Sequence, residues 1–149
     1  MKLLLDTHVF LWLQTEPERL GEHLGLVQDQ RNVLVVSAAS SWEIAIKYQL
    51  GKLPLPEAPE RYVPQRIRAI GAEAAPVEHP HALAVSNLPA LHRDPFDRLL
   101  VAQATLLDLT IMTADLAITE YPVATILVSN VGRFASTAPH PPLDEPAAD

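Results

Sequence analysis

The chain opens with residues 1–8, MKLLLDTH, in which an apolar run ends abruptly at a carboxylate. The run from Leu3 to Leu5 is typical of a short buried strand in a parallel sheet. Asp6 then follows the carboxyl end of that strand, which is the edge where ligands bind in open α/β sheets. A carboxylate is costly to bury there unless a cation, a proton or hydrogen bonds compensate its charge. The opening stretch therefore raises the question of which other polar groups reach the same edge.

The composition predicts one folded domain followed by a tail. The 149 residues are 48% hydrophobic and 19% charged, which is ordinary for a globular domain with a substantial core. We expect the domain to span residues 1–135. Residues 136–149 are rich in proline and poor in apolar side chains, and we expect a disordered tail there.

Charge and residue usage exclude several classes of protein. Cysteine is absent, which excludes disulfides and thiolate chemistry. No apolar stretch reaches the roughly 18 residues of a membrane span, so we expect a cytoplasmic protein with no membrane partner. The net charge of −7 disfavours a protein that coats nucleic acid non-specifically. It does not disfavour an enzyme acting on nucleic acid through an acidic site that binds divalent cations.

Apolar strand-like and helix-like segments alternate along the chain. Strands are predicted at residues 3–5, 33–36, 110–113 and 123–128, with a weak edge strand at 75–77. Helical segments lie between them, and one of these is predicted to begin with Asp94 as N-cap and Pro95 in its first turn. The alternation predicts a three-layer α/β/α fold around a mostly parallel sheet of about four to five strands.

Two further helices carry specific expectations. A helix is predicted to begin near Pro17. In the next helix, Ser40 or Ser41 is expected as N-cap. There Trp42, Ile46 and Leu50 recur at a spacing of four and are expected to face the core.

Four acidic residues stand at special places in this pattern. Asp6 and Asp115 each follow a strand, and Glu43 and Asp97 are each expected in the first turn of a helix. Because the carboxyl ends of parallel strands and the N-termini of the following helices share one edge of the sheet, we expect these side chains to converge. Converging carboxylates repel one another, and hard cations such as Mg²⁺ or Mn²⁺ are the usual solution. Taken singly, each acid has an ordinary alternative role as a helix cap or as a partner of the helix dipole.

Several stretches closely resemble one family, the PIN-domain ribonucleases that serve as VapC-type toxins of bacterial toxin–antitoxin pairs. The stretches are LLDTH at residues 4–8, SAASSWEIAIK at 37–47, LGKL at 50–53, HRDPFDRLLVAQA at 92–104 and TAD at 113–115. The resemblance extends over roughly residues 1–134, and all four acids agree with it in order and spacing.

The resemblance implies a PIN fold and a metal-dependent endoribonuclease that leaves a 3′-hydroxyl and a 5′-phosphate. By position, Asp6, Glu43 and Asp97 would be the main Mg²⁺ or Mn²⁺ ligands and catalytic residues, and Asp115 would complete the site. Thr7 and Thr113 would support it by hydrogen bonds to a carboxylate or to water. The resemblance also implies an RNA substrate, a small cognate antitoxin and a homodimer. We expect the antitoxin to dock at the apolar face of residues 9–13 and at the helices near Glu43.

Basic residues near these acids are the candidates for contacts to the RNA backbone. They are His92, Arg93, Arg98 and Lys47. Each has the alternative of being an ordinary surface charge.

Other functions remain open or are disfavoured. A PIN nuclease of RNA processing without a toxin role is one alternative, and a catalytically idle PIN-like binding module is another. A phosphatase with an aspartate nucleophile is disfavoured because its Asp-x-Asp motif is absent. Here Asp6 is followed by Thr7 and His8. A phospho-receiver domain is disfavoured because this chain lacks an early acidic pair, a central phospho-acceptor aspartate and a late lysine after a strand at the required places.

Overall fold

The computed structural model of the protein describes residues 1–128. The predicted tail at residues 136–149 and the predicted domain boundary at residue 135 lie outside this range. None of the helices in the described range is long and apolar enough to cross a membrane.

Strands and helices alternate along the described residues. The strands β1 to β5 are, in order, Lys2–Leu5, Val33–Ser37, Glu73–Ala75, Thr110–Thr113 and Thr125–Leu127. The helices α1 to α7 are Thr7–Thr15, Leu24–Gln28, Ala38–Gln49, Pro59–Ala69, His79–Ala84, Pro95–Leu107 and Leu116–Thr119. Two 3₁₀ segments, Pro17–His23 and Val85–Asn87, lie before α2 and after α5.

The sheet has the strand order β3-β2-β1-β4-β5, and every pairing in it is parallel. The chain builds outward from β1 through β2 to β3, then returns to the other side of β1 to form β4 and β5. The order therefore reverses between β1 and β4, where crevices for ligands form in α/β sheets. Leu5 at the end of β1 is in register with Met112, and the Asp6 N–H donates to the Met112 carbonyl at 3.1 Å.

Helices cover both faces of the sheet, since consecutive residues of β1, β2 and β4 are buried on either side of it. On one face Leu3, Leu5 and Met112 pack with α1 and α4. On the other, Leu4 and Ile111 pack with α6 and α7. The predicted three-layer α/β/α fold with a parallel sheet of about five strands is confirmed.

Helix α3 differs from expectation in its start and in the face it buries. Its N-cap is Ser37, whose side chain accepts a hydrogen bond from the Ala39 N–H, so the helix begins directly after β2 and Glu43 lies in its second turn. The predicted core positions Trp42 and Leu50 are 57% and 62% exposed. The buried residues of α3 are Ala39, Ser40, Glu43 and Ile44.

The helix expected near Pro17 forms as a 3₁₀ segment followed by the short α2. Gly21 interrupts it with φ 55° and ψ −131°, a conformation that favours glycine and cannot continue an α-helix. The edge strand forms at Glu73–Ala75, just before Pro76, which lacks the N–H that a strand pairing needs.

Candidate active site

Three of the four acids are fixed at the start of a helix. Asp6 is the N-cap of α1, and its Oδ1 accepts a hydrogen bond from the Val9 N–H at 2.9 Å. Asp115 is the N-cap of α7, and its Oδ1 accepts from the Ala117 N–H at 2.9 Å. Asp97 lies in the first turn of α6. The N-terminal ends of helices carry partial positive charge, which favours carboxylates at all three places.

Asp6 is buried at the strand edge and linked to its neighbours through Thr113. The Thr113 hydroxyl hydrogen-bonds the Asp6 carboxylate and also accepts the Asp115 N–H at 3.0 Å. Burial raises the pKa of Asp6 above its ordinary value, and the charge of Glu43 raises it further. These effects outweigh the lowering by His8 and by the hydrogen bonds. The protein therefore holds this carboxyl group where its ionised form is poorly compensated.

More carboxylates act on Asp97 than on Asp6. Burial raises its pKa to about 9, with further raising contributions from the charges of Asp94, Asp6, Glu43 and Asp115, in that order. The acids that follow β1 and β4 and those of α3 and α6 therefore lie near enough to Asp97 for their charges to act on it. The site has more carboxylate charge than its hydrogen bonds compensate.

Glu43 forms an ion pair with a lysine of its own helix. It is buried, and the Lys47 Nζ lies 2.8 Å from its Oε2, one turn further along α3. The predicted RNA-contacting residue Lys47 is therefore occupied by a site carboxylate, with only 17% of its side chain exposed.

His92 and Arg98 lie beside Asp97, although they make different contacts. The His92 Nε2 lies 3.3 Å from the Asp97 Oδ2. Donor atoms of His92, Asp97 and Asp115 all lie within 4.8 Å of one another, a grouping that suits a metal ion. Arg98 donates to the carbonyls of Pro89 and Val85 and to the Tyr121 hydroxyl.

The remaining predicted residues fall on either side of the site. The buried Thr7 hydroxyl donates to the Ser40 hydroxyl at 2.8 Å, so it joins α1 to α3. Arg93 is exposed in the loop that precedes α6.

Three residues of the site were not among those predicted for it. Asp94 was expected as the N-cap of α6, which is confirmed, but it also raises the pKa of Asp97. Ser40 is buried as the partner of Thr7. Tyr121 contacts both His92 and Arg98, and no motif surrounds it that would have marked it in the sequence.

Comparison with known proteins gives consistent matches. The profile of the PIN domain family matches residues 3–123. Ribonuclease VapC16 of Mycobacterium tuberculosis (strain ATCC 25618 / H37Rv) is 50% identical over 64 residues, which make up 43% of this chain and 45% of that protein. The match thus spans less than half the length of this curated relative.

Two solved structures have a similar fold. One is VapBC2 from Rickettsia felis bound to a DNA fragment from the promoter, with a TM-score of 0.66, 16% identity, and coverage of 85% of this chain and 98% of that chain. The other is DNA-bound VapBC from Salmonella typhimurium, with a TM-score of 0.58, 19% identity, and coverage of 85% and 97%. At these identities the two structures support a similarity of fold alone.

Proposed function

This chain belongs to the PIN domain family, and on that premise we propose that it is a metal-dependent endoribonuclease acting as the toxin of a toxin–antitoxin pair. The observation that carries the proposal is the grouping of acids around Asp97. A carboxylate oxygen of Asp97 lies within 4.8 Å of one of Asp115. Burial, and then the charges of four neighbouring acids, raise the pKa of Asp97 to about 9. A stable fold has little reason to gather so many carboxylates unless a cation joins them. The name of the relative, Ribonuclease VapC16, supports the same activity.

The donor set suits a hard divalent cation. It consists of carboxylate oxygens, and Asp6 and Asp115 each hold one of these oxygens against a helix N–H. Oxygen donors of this kind are those that Mg²⁺ and Mn²⁺ prefer. The residues that would hold the cation are Asp6, Glu43, Asp97 and Asp115. When bound, it would supply an activated water and stabilise the charge that develops at the phosphate.

The chain itself contributes positioning and charge. Thr113 holds Asp6 relative to Asp115, and Thr7 holds α1 against α3. Arg93, exposed beside the first turn of α6, is the candidate for a contact to the RNA backbone. The products would be a 3′-hydroxyl and a 5′-phosphate.

The proposal is tested by cleavage of a labelled RNA in Mg²⁺ or Mn²⁺, with and without a chelator. Asp6→Asn and Asp97→Asn should each lower the rate by roughly 100-fold or more, the scale of losing one strong electrostatic contribution to a transition state. Asp108→Asn is the matched control, because Asp108 ends α6 with φ 57°, a left-handed conformation that asparagine also accepts. Chelator-resistant cleavage, or full activity in both site variants, would contradict the proposal.

The partner we propose is a small antitoxin protein, as the VapBC assemblies of similar fold suggest. A largely apolar groove of about 810 Å³ lies between α3 and α4, lined by residues that include Ala45, Tyr48 and Val63. We propose that a segment of the antitoxin occupies this groove. The alternative surface at residues 9–12 is buried in the core and is not available for docking.

Growth of cells that express the toxin tests this docking site. Wild-type protein should arrest growth, and the small protein encoded by an adjacent gene should relieve the arrest. Ala45→Arg should keep the nuclease active but block relief, whereas Ala45→Ser should behave as wild type. If the small protein still relieves the arrest caused by Ala45→Arg, the groove is not the docking site. Nuclease activity without growth arrest would favour a nuclease of RNA processing without a toxin role.

The expected homodimer remains a prediction.

A further inference from the structure

Tyr121 and His92 form a hydrogen-bonded pair beside the acidic site. Tyr121 is buried, and its hydroxyl lies 3.0 Å from the His92 Nδ1. The two rings are 5.6 Å apart between centroids. The other ring nitrogen of His92, Nε2, lies 3.3 Å from the Asp97 Oδ2. His92 thus connects a buried phenol to a carboxylate of the proposed metal site.

Arg98 and Asp97 stand at the two ends of this set of hydrogen bonds. Its Nη1 donates to the Tyr121 hydroxyl oxygen at 3.1 Å and to the Pro89 carbonyl at 2.8 Å, and its Nη2 donates to the Val85 carbonyl at 3.3 Å. A guanidinium group can only donate, so the Tyr121 oxygen accepts from it. The Nε2 of His92 faces the Asp97 carboxylate, which accepts when ionised, so the neutral imidazole fits best with its hydrogen on Nε2. In that tautomer Nδ1 accepts the hydrogen of the Tyr121 hydroxyl.

We infer that His92 and Tyr121 are positioning residues, which orient Asp97 for cation binding through a chain of donors from Arg98 to Asp97. The Nε2–H of His92 donates to the Asp97 Oδ2, which leaves Oδ1 for the cation. Because Nε2 carries a hydrogen, His92 is not itself a metal ligand, although it lies close to Asp97 and Asp115. This inference rests on the proposed function.

These contacts join residues from separate parts of the chain. His92 lies in the loop before α6, and Tyr121 lies in the loop between α7 and β5. The Arg98 bonds to Pro89 and Val85 hold the first loop against α6. Partners that orient a metal-binding carboxylate typically contribute 10- to 100-fold to metal affinity or activity.

The test is a titration of the full chain with Mn²⁺, in which electron paramagnetic resonance measures the binding. Tyr121→Phe keeps the ring and removes the hydroxyl, and His92→Leu removes the donor to Asp97. Both should weaken Mn²⁺ binding by about 10-fold or more. His92→Gln should restore most of the affinity, since its amide N–H can replace Nε2–H. Tyr62→Phe, in the core contributed by α4, is the matched control and should bind as wild type.

The outcomes separate this inference from the proposed function. A purely structural role would lower the melting temperature of Tyr121→Phe without changing the Mn²⁺ affinity of the folded protein, which would overturn the inference. Unchanged Mn²⁺ affinity in His92→Leu, or failure of His92→Gln to restore the affinity, would also overturn the inference. So would a ¹⁴N coupling to Mn²⁺ that disappears in His92→Leu, because it would make His92 a metal ligand. If wild-type protein neither binds Mn²⁺ nor cleaves RNA, the proposed function fails and this inference fails with it.

Discussion

The ion pair between Glu43 and Lys47 is the main charge compensation that α3 brings to the site. Both side chains are largely enclosed, with 5% and 17% exposed, and the Lys47 Nζ lies 2.8 Å from the Glu43 Oε2. Removing one partner of such a pair leaves a buried charge without compensation. A bound cation would share the same carboxylate, so the lysine and the cation contribute to the same balance of charge.

Replacing Lys47 tests which role this residue has. Lys47→Met keeps most of the side-chain volume, and we expect it to lower the free energy of unfolding of the metal-free protein by about 3 kcal/mol. Saturating Mn²⁺ should recover part of that loss. Urea unfolding with and without Mn²⁺ measures both effects, with the exposed Lys2→Met as control. Unchanged stability together with a raised KM for RNA would instead assign Lys47 to the substrate.

Among the elements, α6 was predictable from sequence and α3 only in part. The Asp94-Pro95 pair gave the start of α6 correctly, because an N-cap acceptor and a proline in the first turn are local signals. In α3 the spacing of four is shared by two faces, and the large apolar residues suggested the wrong one. The buried face instead carries Ile44 and Ala39, which pack in the two cores, and Ser40, which accepts from Thr7 of α1.

Trp42 shows what the exposed face of α3 does instead. Its ring packs edge-on against Phe96 of α6, with centroids 5.1 Å apart, while more than half of its surface stays exposed. Each aromatic residue directly precedes a site acid in sequence, since Glu43 follows Trp42 and Asp97 follows Phe96. The pair therefore joins α3 and α6 beside the carboxylates. Helical periodicity cannot indicate such a contact, because it depends on how two helices meet.

At the scale of the whole molecule, the convergence of the four acids could be predicted because it follows from topology. Parallel strands end at one edge, and residues placed after β1 and β4 meet where the strand order reverses. The contact of Tyr121 with His92 could not be predicted, since it joins two loops 29 residues apart. The groove between α3 and α4 also depends on how the two helices pack.

The stability of the whole domain should therefore depend on pH in a direction opposite to that of most proteins. The pKa of Asp97 is about 9 in the folded chain and near 3.8 as its ordinary value. The folded state thus binds this proton more tightly than the unfolded state, so stability is greatest below about pH 4 for this group and is lost as pH rises toward 9. The raised pKa of Asp6 acts in the same direction.

Thermal unfolding of the metal-free chain between pH 5 and 9 should show this trend. We expect the melting temperature to fall as pH rises, and Asp97→Asn to flatten the slope and raise the melting temperature at pH 8 by roughly 2–5 °C for each kcal/mol of repulsion removed. Saturating Mn²⁺ should reverse the trend in the wild type, because the cation binds the ionised carboxylates and stabilises by about 2.7 kcal/mol at 100 times its Kd. The Asp108→Asn control should follow the wild type throughout. A metal-free melting temperature that rises steadily to pH 9 would mean that the carboxylates are compensated within the protein and need no cation.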